Sequence, residues 1–182
     1  MNHGLLVVDV QPAYHDWCGA IARDVAKRIN NTRKPTVIMW VGEDITSDTE
    51  ADVRYYLHEH GARPGKLAQC AFIEKDYGFF RNWMDSVGYD RDTLITVGKE
   101  LIRLKLHSSE QLDLADMLGG DVAADLAECA GDIRLPHFDS RAMTHLLRFD
   151  TCGGGAEECL AEIELLLEMQ GKPYTQLTHL TY

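Results

Sequence analysis

Residues 149–171 read FDTCGGGAEECLAEIELLLEMQG, an apolar run, three consecutive glycines and then a long patterned segment. After Gly155 the apolar residues Ala156, Cys159, Leu160, Ile163, Leu166 and Leu167 recur at helical spacing, with Glu157, Glu158, Glu162, Glu164 and Glu168 largely on the other face. Gly171, followed by Lys172-Pro173, is a helix stop. The preceding "LLRFDTC" (146–152) is of strand length. The stretch is therefore a strand, a glycine turn and a helix, the building unit of an α/β fold.

Three chemistries fit such a turn. A phosphate cradle would use the unpaired N–H groups at a helix start. It calls for GxxxxGK[ST] or GxGxxG, whereas here GGG is followed by two glutamates that repel phosphate. A thiol mount would place Cys159 in the first helical turn, where aligned peptide dipoles favour the thiolate. Glycines allow backbone conformations that aim N–H groups at a substrate oxygen. The flanking carboxylates oppose that thiolate unless a cation arrives from elsewhere in the fold. The third reading is an ordinary turn with a packed cysteine, and on this stretch alone it is favoured.

Working outward, "GLLVVDV" (4–10) and "PTVIMWV" (35–41) are continuous apolar runs, as in strands covered on both faces. "QCAFIEK" (69–75) is a third strand candidate and "PYTQLTHLTY" (173–182) a last one. Helices are expected over 17–29, 49–61, 79–88 and 91–107, and two short ones on either side of Gly119-Gly120. "DIRLP" (132–136) reads as a short strand or an extended connector. Alternating strands and helices predict a three-layer αβα, Rossmann-like fold with a mainly parallel sheet of about five or six strands. Without repeat, low-complexity tract or linker, residues 1–182 read as one domain, with a mostly helical segment at about 85–145.

Composition narrows the function classes. A formal net charge of −11 over 182 residues disfavours nonspecific nucleic-acid or anionic-lipid binding. No apolar run approaches a membrane span, and the start of the chain lacks the features of a signal peptide. Five cysteines, an odd number without CxxC, fit a reducing cytoplasm better than a disulfide scaffold or zinc knuckle. His58 and His60 point in different directions on a helix, and Asp44, Asp48, Glu50 and Asp52 lack calcium-loop spacing and read as a solvated loop and helix start. No metal and no cofactor is expected.

Ligands of parallel α/β sheets bind at the carboxyl ends of the strands. The first strand delivers Asp9 there, the third Lys75, and the strand before the glycine turn Cys159. An acid, a cation and a thiol from three distant segments thus share one edge. Cys152, inside the strand, reads as core.

This set resembles the isochorismatase-like cysteine hydrolases, the superfamily of nicotinamidases and N-carbamoyl amidases. The matching residues are the D-x-Q after the first strand in "LLVVDVQ" (Asp9, Gln11), the lysine before an aromatic pair in "KDYGFF" (Lys75), and a cysteine six positions after a glycine (Gly153, Cys159). The resemblance covers the first half of the chain and the last forty or so residues. It implies a cysteine-dependent hydrolase acting on a small amide or related substrate. Cys159 would be the nucleophile, Asp9 the proton acceptor, Lys75 the cation, and the backbone at Gly155 and Cys159 the oxyanion site. It also implies a cis peptide near Gly154-Gly155 and a homo-oligomer, dimer or tetramer. No D-x-H-x-H motif follows the second strand, so the nicotinamidase metal site is not expected. Gln11, Tyr14, Trp40 and Phe79 are candidate substrate-pocket residues, within a wider aromatic set that includes Trp17, Phe80 and Trp83. The alternative is a non-catalytic binding or assembly protein on the same scaffold.

Overall fold

The structure is a computed structural model that describes residues 2–42, 45–76, 91–129, 133–136 and 138–182, with 125–129 described by backbone only. The helix expected over 79–88 lies outside these residues, and with it Phe79, Phe80 and Trp83, as does Asp44.

Strands β1 (His3–Val8), β2 (Thr36–Val41), β3 (Ala71–Lys75), β4 (Arg148–Gly153) and β5 (Tyr174–Gln176) form one sheet in the order β3-β2-β1-β4-β5. Every pairing is parallel, with Leu6 level with Val37 on one side and Thr151 on the other. The chain steps outward from β1 to β3, then returns to the opposite side of β1 as β4. The strand order therefore reverses between β1 and β4, where crevices open in such sheets.

Described helices are α1 (His15–Asn31), α2 (Glu50–Glu59), α3 (Pro64–Leu67), α4 (Arg91–Leu104), α5 (Leu114–Leu118), α6 (Gly120–Cys129) and α7 (Cys159–Met169). The continuous apolar runs of β1 and β2 are explained by the two layers that cover them. Leu5, Val7, Ile38 and Cys152 pack with Ala22, Val25, Val53 and Leu57 of α1 and α2. Leu6, Val8, Met39 and Phe149 pack on the other face with Leu160, Ile163 and Leu167 of α7. The fold is a three-layer α/β sandwich with a five-stranded parallel sheet.

Two expectations need correction. Helix α7 has no solvent face along most of its length: Glu162 and Glu164 are buried with its apolar residues. The cause is the middle segment, whose Leu94, Val97 and Leu101 on α4 pack against Leu165, Leu166 and Met169 of α7. Nor is the stretch after Gly171 one long strand. It pairs only through Gln176, and then turns through a short 3-10 helix, Thr178–Leu180. In the connector near 132–136, the described residues 133–136 form an isolated antiparallel bridge between Ser108 and Arg134.

Candidate active site

Strand β1 ends at Val8, and Asp9 leaves it in the left-handed region, φ 51°. Aspartate is among the few side chains that tolerate this conformation, and such outliers concentrate at functional positions. The Asp9 amide donates to Met39 O of β2 at 2.9 Å, so the turn is held against β2. Its carboxylate is fully buried, and its one charged partner among the described residues is Lys75, with Nζ 3.0 Å from Oδ2.

Lys75 reaches Asp9 from two strands away. It ends β3 level with Val41 of β2, about 10 Å from β1 at two strand spacings. By strand alternation Lys75 shares the sheet face of Ile73, the face that α7 covers. Its side chain is 1% exposed, and Nζ also lies 3.5 Å from Asp76 O. Removing two charges from water costs several kcal/mol per ion unless they compensate one another, and this pairing supplies the compensation.

The glycine turn brings the start of α7, and with it Cys159, to the same edge. Gly153 (φ 74°) closes β4, and a Cβ there would stand 2.2 Å from Val8 O of β1. Gly154 (φ 58°) brings the turn against the start of α7, where a Cβ would meet the Leu160 amide nitrogen at 3.1 Å. Two successive left-handed residues in close contact with backbone call for glycine. Peptide bonds among the described residues are all trans, so the cis bond expected at Gly154-Gly155 is absent. The positive φ angles make the reversal instead. Cys159 opens α7 and is 8% exposed. Of the nearby amides, Glu158 and Leu160 donate to Gly155 O and Ala156 to Tyr182 O.

Beside Cys159 lies a cavity of about 560 Å³, walled by Tyr14, Trp17, Tyr182 and the turn residues 155–158. Tyr14 and Trp17 meet edge to face with ring centres 5.9 Å apart. Tyr182 is the residue that sequence reasoning missed. Its N–H donates to Gly154 O (3.3 Å), its carbonyl receives the Ala156 amide (2.9 Å), and its hydroxyl donates to Asp9 O at 3.4 Å. Burial pushes the Tyr182 phenol well above its usual range, and the neighbouring Asp9 and Cys159 add to the shift. One ring is thus within electrostatic reach of both the acid and the thiol. A signal existed in the sequence, because strand alternation fails after Gln176, where Leu177 and Leu180 are three apart, the spacing of a 3-10 turn.

Of the three pocket candidates among the described residues, Gln11, Tyr14 and Trp40, only Tyr14 lines this cavity. Gln11 is instead a buried clip. Its Nε2 donates to Val41 O (3.0 Å), Thr46 Oγ1 (3.3 Å) and Asp48 Oδ2 (2.8 Å), and its Oε1 accepts from the Val41 amide (2.9 Å). Those bonds tie the exits of β1 and β2 and engage both N–H donors of the side chain. They also bury Asp48, expected in a solvated loop, which accepts from the Ala13 amide as well. Trp40 belongs to the core under α1 and α2, and Phe79 lies outside the described residues.

The other described cysteines are packed differently. Cys152 faces α1 at 0% exposure, and burial pushes its thiol up to about 12. Cys18 is fully buried between Gln11 O and Tyr56 Oη, and burial raises it too. Cys70, half-buried, bonds Lys66 O and is likewise raised by burial.

No protein-family model, curated protein or solved structure matches the chain.

Proposed function

We propose that the protein is a cysteine-dependent hydrolase of the isochorismatase-like type, acting on a small amide or related carbonyl compound through Asp9, Lys75 and Cys159. The observation that carries this reading is the buried Asp9–Lys75 pair at the carboxyl edge of the sheet, with Cys159 lining a cavity at the start of α7. A buried lysine–carboxylate pair contributes little to stability compared with apolar packing, so its placement here favours chemistry.

In this mechanism Asp9 takes the proton of the Cys159 thiol, and the thiolate attacks the substrate carbonyl carbon. The Lys75 ammonium offsets the negative charge shared by the carboxylate and sulfur. Amides of Gly155 and Cys159, at the dipole-positive start of α7, receive the developing oxyanion. The tetrahedral centre collapses to a thioester, and the leaving amine departs with the proton held by Asp9. Asp9 then takes a proton from water, the hydroxide displaces the Cys159 thiolate and releases the acid, and Asp9 returns the proton to the sulfur.

The test is thiol labelling with mass mapping on the native protein at neutral pH. Rapid modification confined to Cys159 and lost in Lys75→Met supports the hydrolase, whereas uniformly slow labelling of all five cysteines removes its basis. In that event the second reading, a binding protein on the same scaffold with an idle triad, takes over. Its specific support is the pair Glu157 and Glu158 beside the sulfur, whose charge opposes a thiolate.

A further inference from the structure

Toward the amino edge of the sheet, away from Asp9 and Lys75, a cavity of about 430 Å³ lies between the second half of α1 and the turn after α2. Arg23, Lys27, Asn30 and Asn31 of α1 line it together with His60 and Arg63. Among the described residues no aspartate or glutamate does, in a chain with 29 acids against 18 lysines and arginines. The Asn30 side chain pins the walls together. Its Nδ2 donates to Gly61 O (2.8 Å), and its Oδ1 accepts from the Arg63 amide (2.8 Å). One Nη of Arg63 donates to Asn30 O (2.7 Å), which holds the guanidinium and leaves its other N–H groups available. His60 is held as well, its Nδ1 donating to Tyr56 O at 2.8 Å. Arg23 and Lys27, one helical turn apart, have no hydrogen bond or ion pair among the described residues.

We infer that this cavity binds the phosphate groups of a small oligophosphate-bearing molecule. The inference goes beyond the hydrolase reading and does not rest on it. Carbonyls at a helix end attract cations, which accounts for Arg63 on Asn30 O. That pull fades within the last turn, so it does not account for Arg23, two turns before the end of α1. Like charges four residues apart on a helix repel, and an anion seated between Arg23, Lys27 and Arg63 removes that repulsion. Guanidinium forks match phosphate oxygens two at a time, and the ammonium adds a point charge. The cavity volume lies in the range of small-molecule sites and exceeds what one carboxylate would fill. A net charge of −11 repels anions at long range, so the attraction is local and salt-sensitive.

Inorganic triphosphate is the probe, titrated by calorimetry into the full chain at about 50 mM salt without divalent cations. Binding is expected to be at least about tenfold tighter than that of orthophosphate. It should weaken at least about tenfold in Arg23→Gln/Lys27→Gln, which loses two charge-assisted contacts. Both side chains are exposed, so melting without the probe should stay the same. Lys99→Gln/Lys105→Gln removes equal charge from exposed positions elsewhere and should leave the affinity within about twofold. ATP as a second probe separates the sources of the phosphate chain. Tighter binding than triphosphate assigns a nucleotide, and equal or weaker binding a bare chain. Absence of triphosphate binding overturns the inference. So does equal weakening by the two double variants, which would reduce the effect to net charge. Labelling of Cys159 plays no part in these readouts, so the hydrolase and the phosphate site stand or fall separately.

Discussion

Lys75 Nζ lies 3.0 Å from Asp9 Oδ2 although the two residues stand on strands separated by β2. Neither side chain meets water, and Asp9 sits in a left-handed turn that aims its carboxylate. The pair is thus both the most demanding electrostatic element in the site and the one most directly tied to the proposed chemistry.

Removing one partner should be worse than removing both. Lys75→Met leaves a buried carboxylate uncompensated and is expected to cost about 3–5 kcal/mol. Asp9→Asn/Lys75→Met should recover most of that loss, since asparagine tolerates the left-handed turn. Urea unfolding reads the stability, and the rapid labelling of Cys159 expected in the unaltered protein should be lost in both variants. A double variant as unstable as the single would contradict the pairing.

Gly153→Ala tests the close approach of β4 to β1. Its Cβ would stand 2.2 Å from Val8 O at φ 74°, and both the contact and the conformation oppose it. The expected loss is about 2 kcal/mol or more. Gly61→Ala is the control: φ is 102° but nothing lies within 4 Å, so only about 1 kcal/mol is expected. Equal losses in urea unfolding would remove the steric argument.

Cys18 and Cys152 should be silent toward thiol reagents in the native state. Both are fully buried with raised thiols, Cys152 at about 12. At pH 7 their labelling should wait for unfolding, whereas in urea they should react as fast as any other cysteine. Mass mapping over a time course separates the two regimes, and prompt native labelling of Cys152 would contradict the packing of β4 on α1.

Acid should find Asp150. Burial alone would raise this carboxylate, but hydrogen bonds from Lys34 (2.6 Å) and His3 (2.8 Å), joined by Arg28 (2.7 Å), outweigh it and hold it below its usual range. A depressed folded value means that its contribution is present above the unfolded value of about 3.9 and is lost as pH falls through the folded one. Asp150→Asn should therefore cost about 1–3 kcal/mol at pH 7 and show a shallower acid decline below pH 4, measured by urea unfolding at stepped pH.

Glu164 should show the opposite sign. Burial raises its carboxyl despite the hydrogen bond from Thr151 Oγ1 at 2.6 Å. A raised folded value favours the protonated form, so stability declines as pH rises through it. Glu164→Gln keeps an acceptor for Thr151 without the charge. Its Tm should exceed that of the unaltered protein at pH 7, with the gain fading toward pH 4. A lower Tm at pH 7 would show that the charge is compensated.

Local periodicity carried much of the architecture. The runs 4–10 and 35–41 announced strands covered on both faces, and the spacing after Gly155 announced a helix, because burial repeats every two or 3.6 residues whatever the partner. The same logic placed Asp9, Lys75 and Cys159 at strand or helix ends, and so on one edge of a parallel sheet. Residue chemistry alone also singled out the glycine turn.

Tertiary structure decided everything that depends on which surfaces meet. That Lys75 spans β2 to reach Asp9 follows from the strand order, which no local pattern encodes. Gln11 became a clip rather than a pocket residue because the exits of β1 and β2 lie side by side. Glu162 and Glu164 left the solvent because α4 covers α7, and Tyr182 joined the cavity because the chain turns after Gln176. Each outcome depends on long-range contacts whose free energy appears only once distant segments pack.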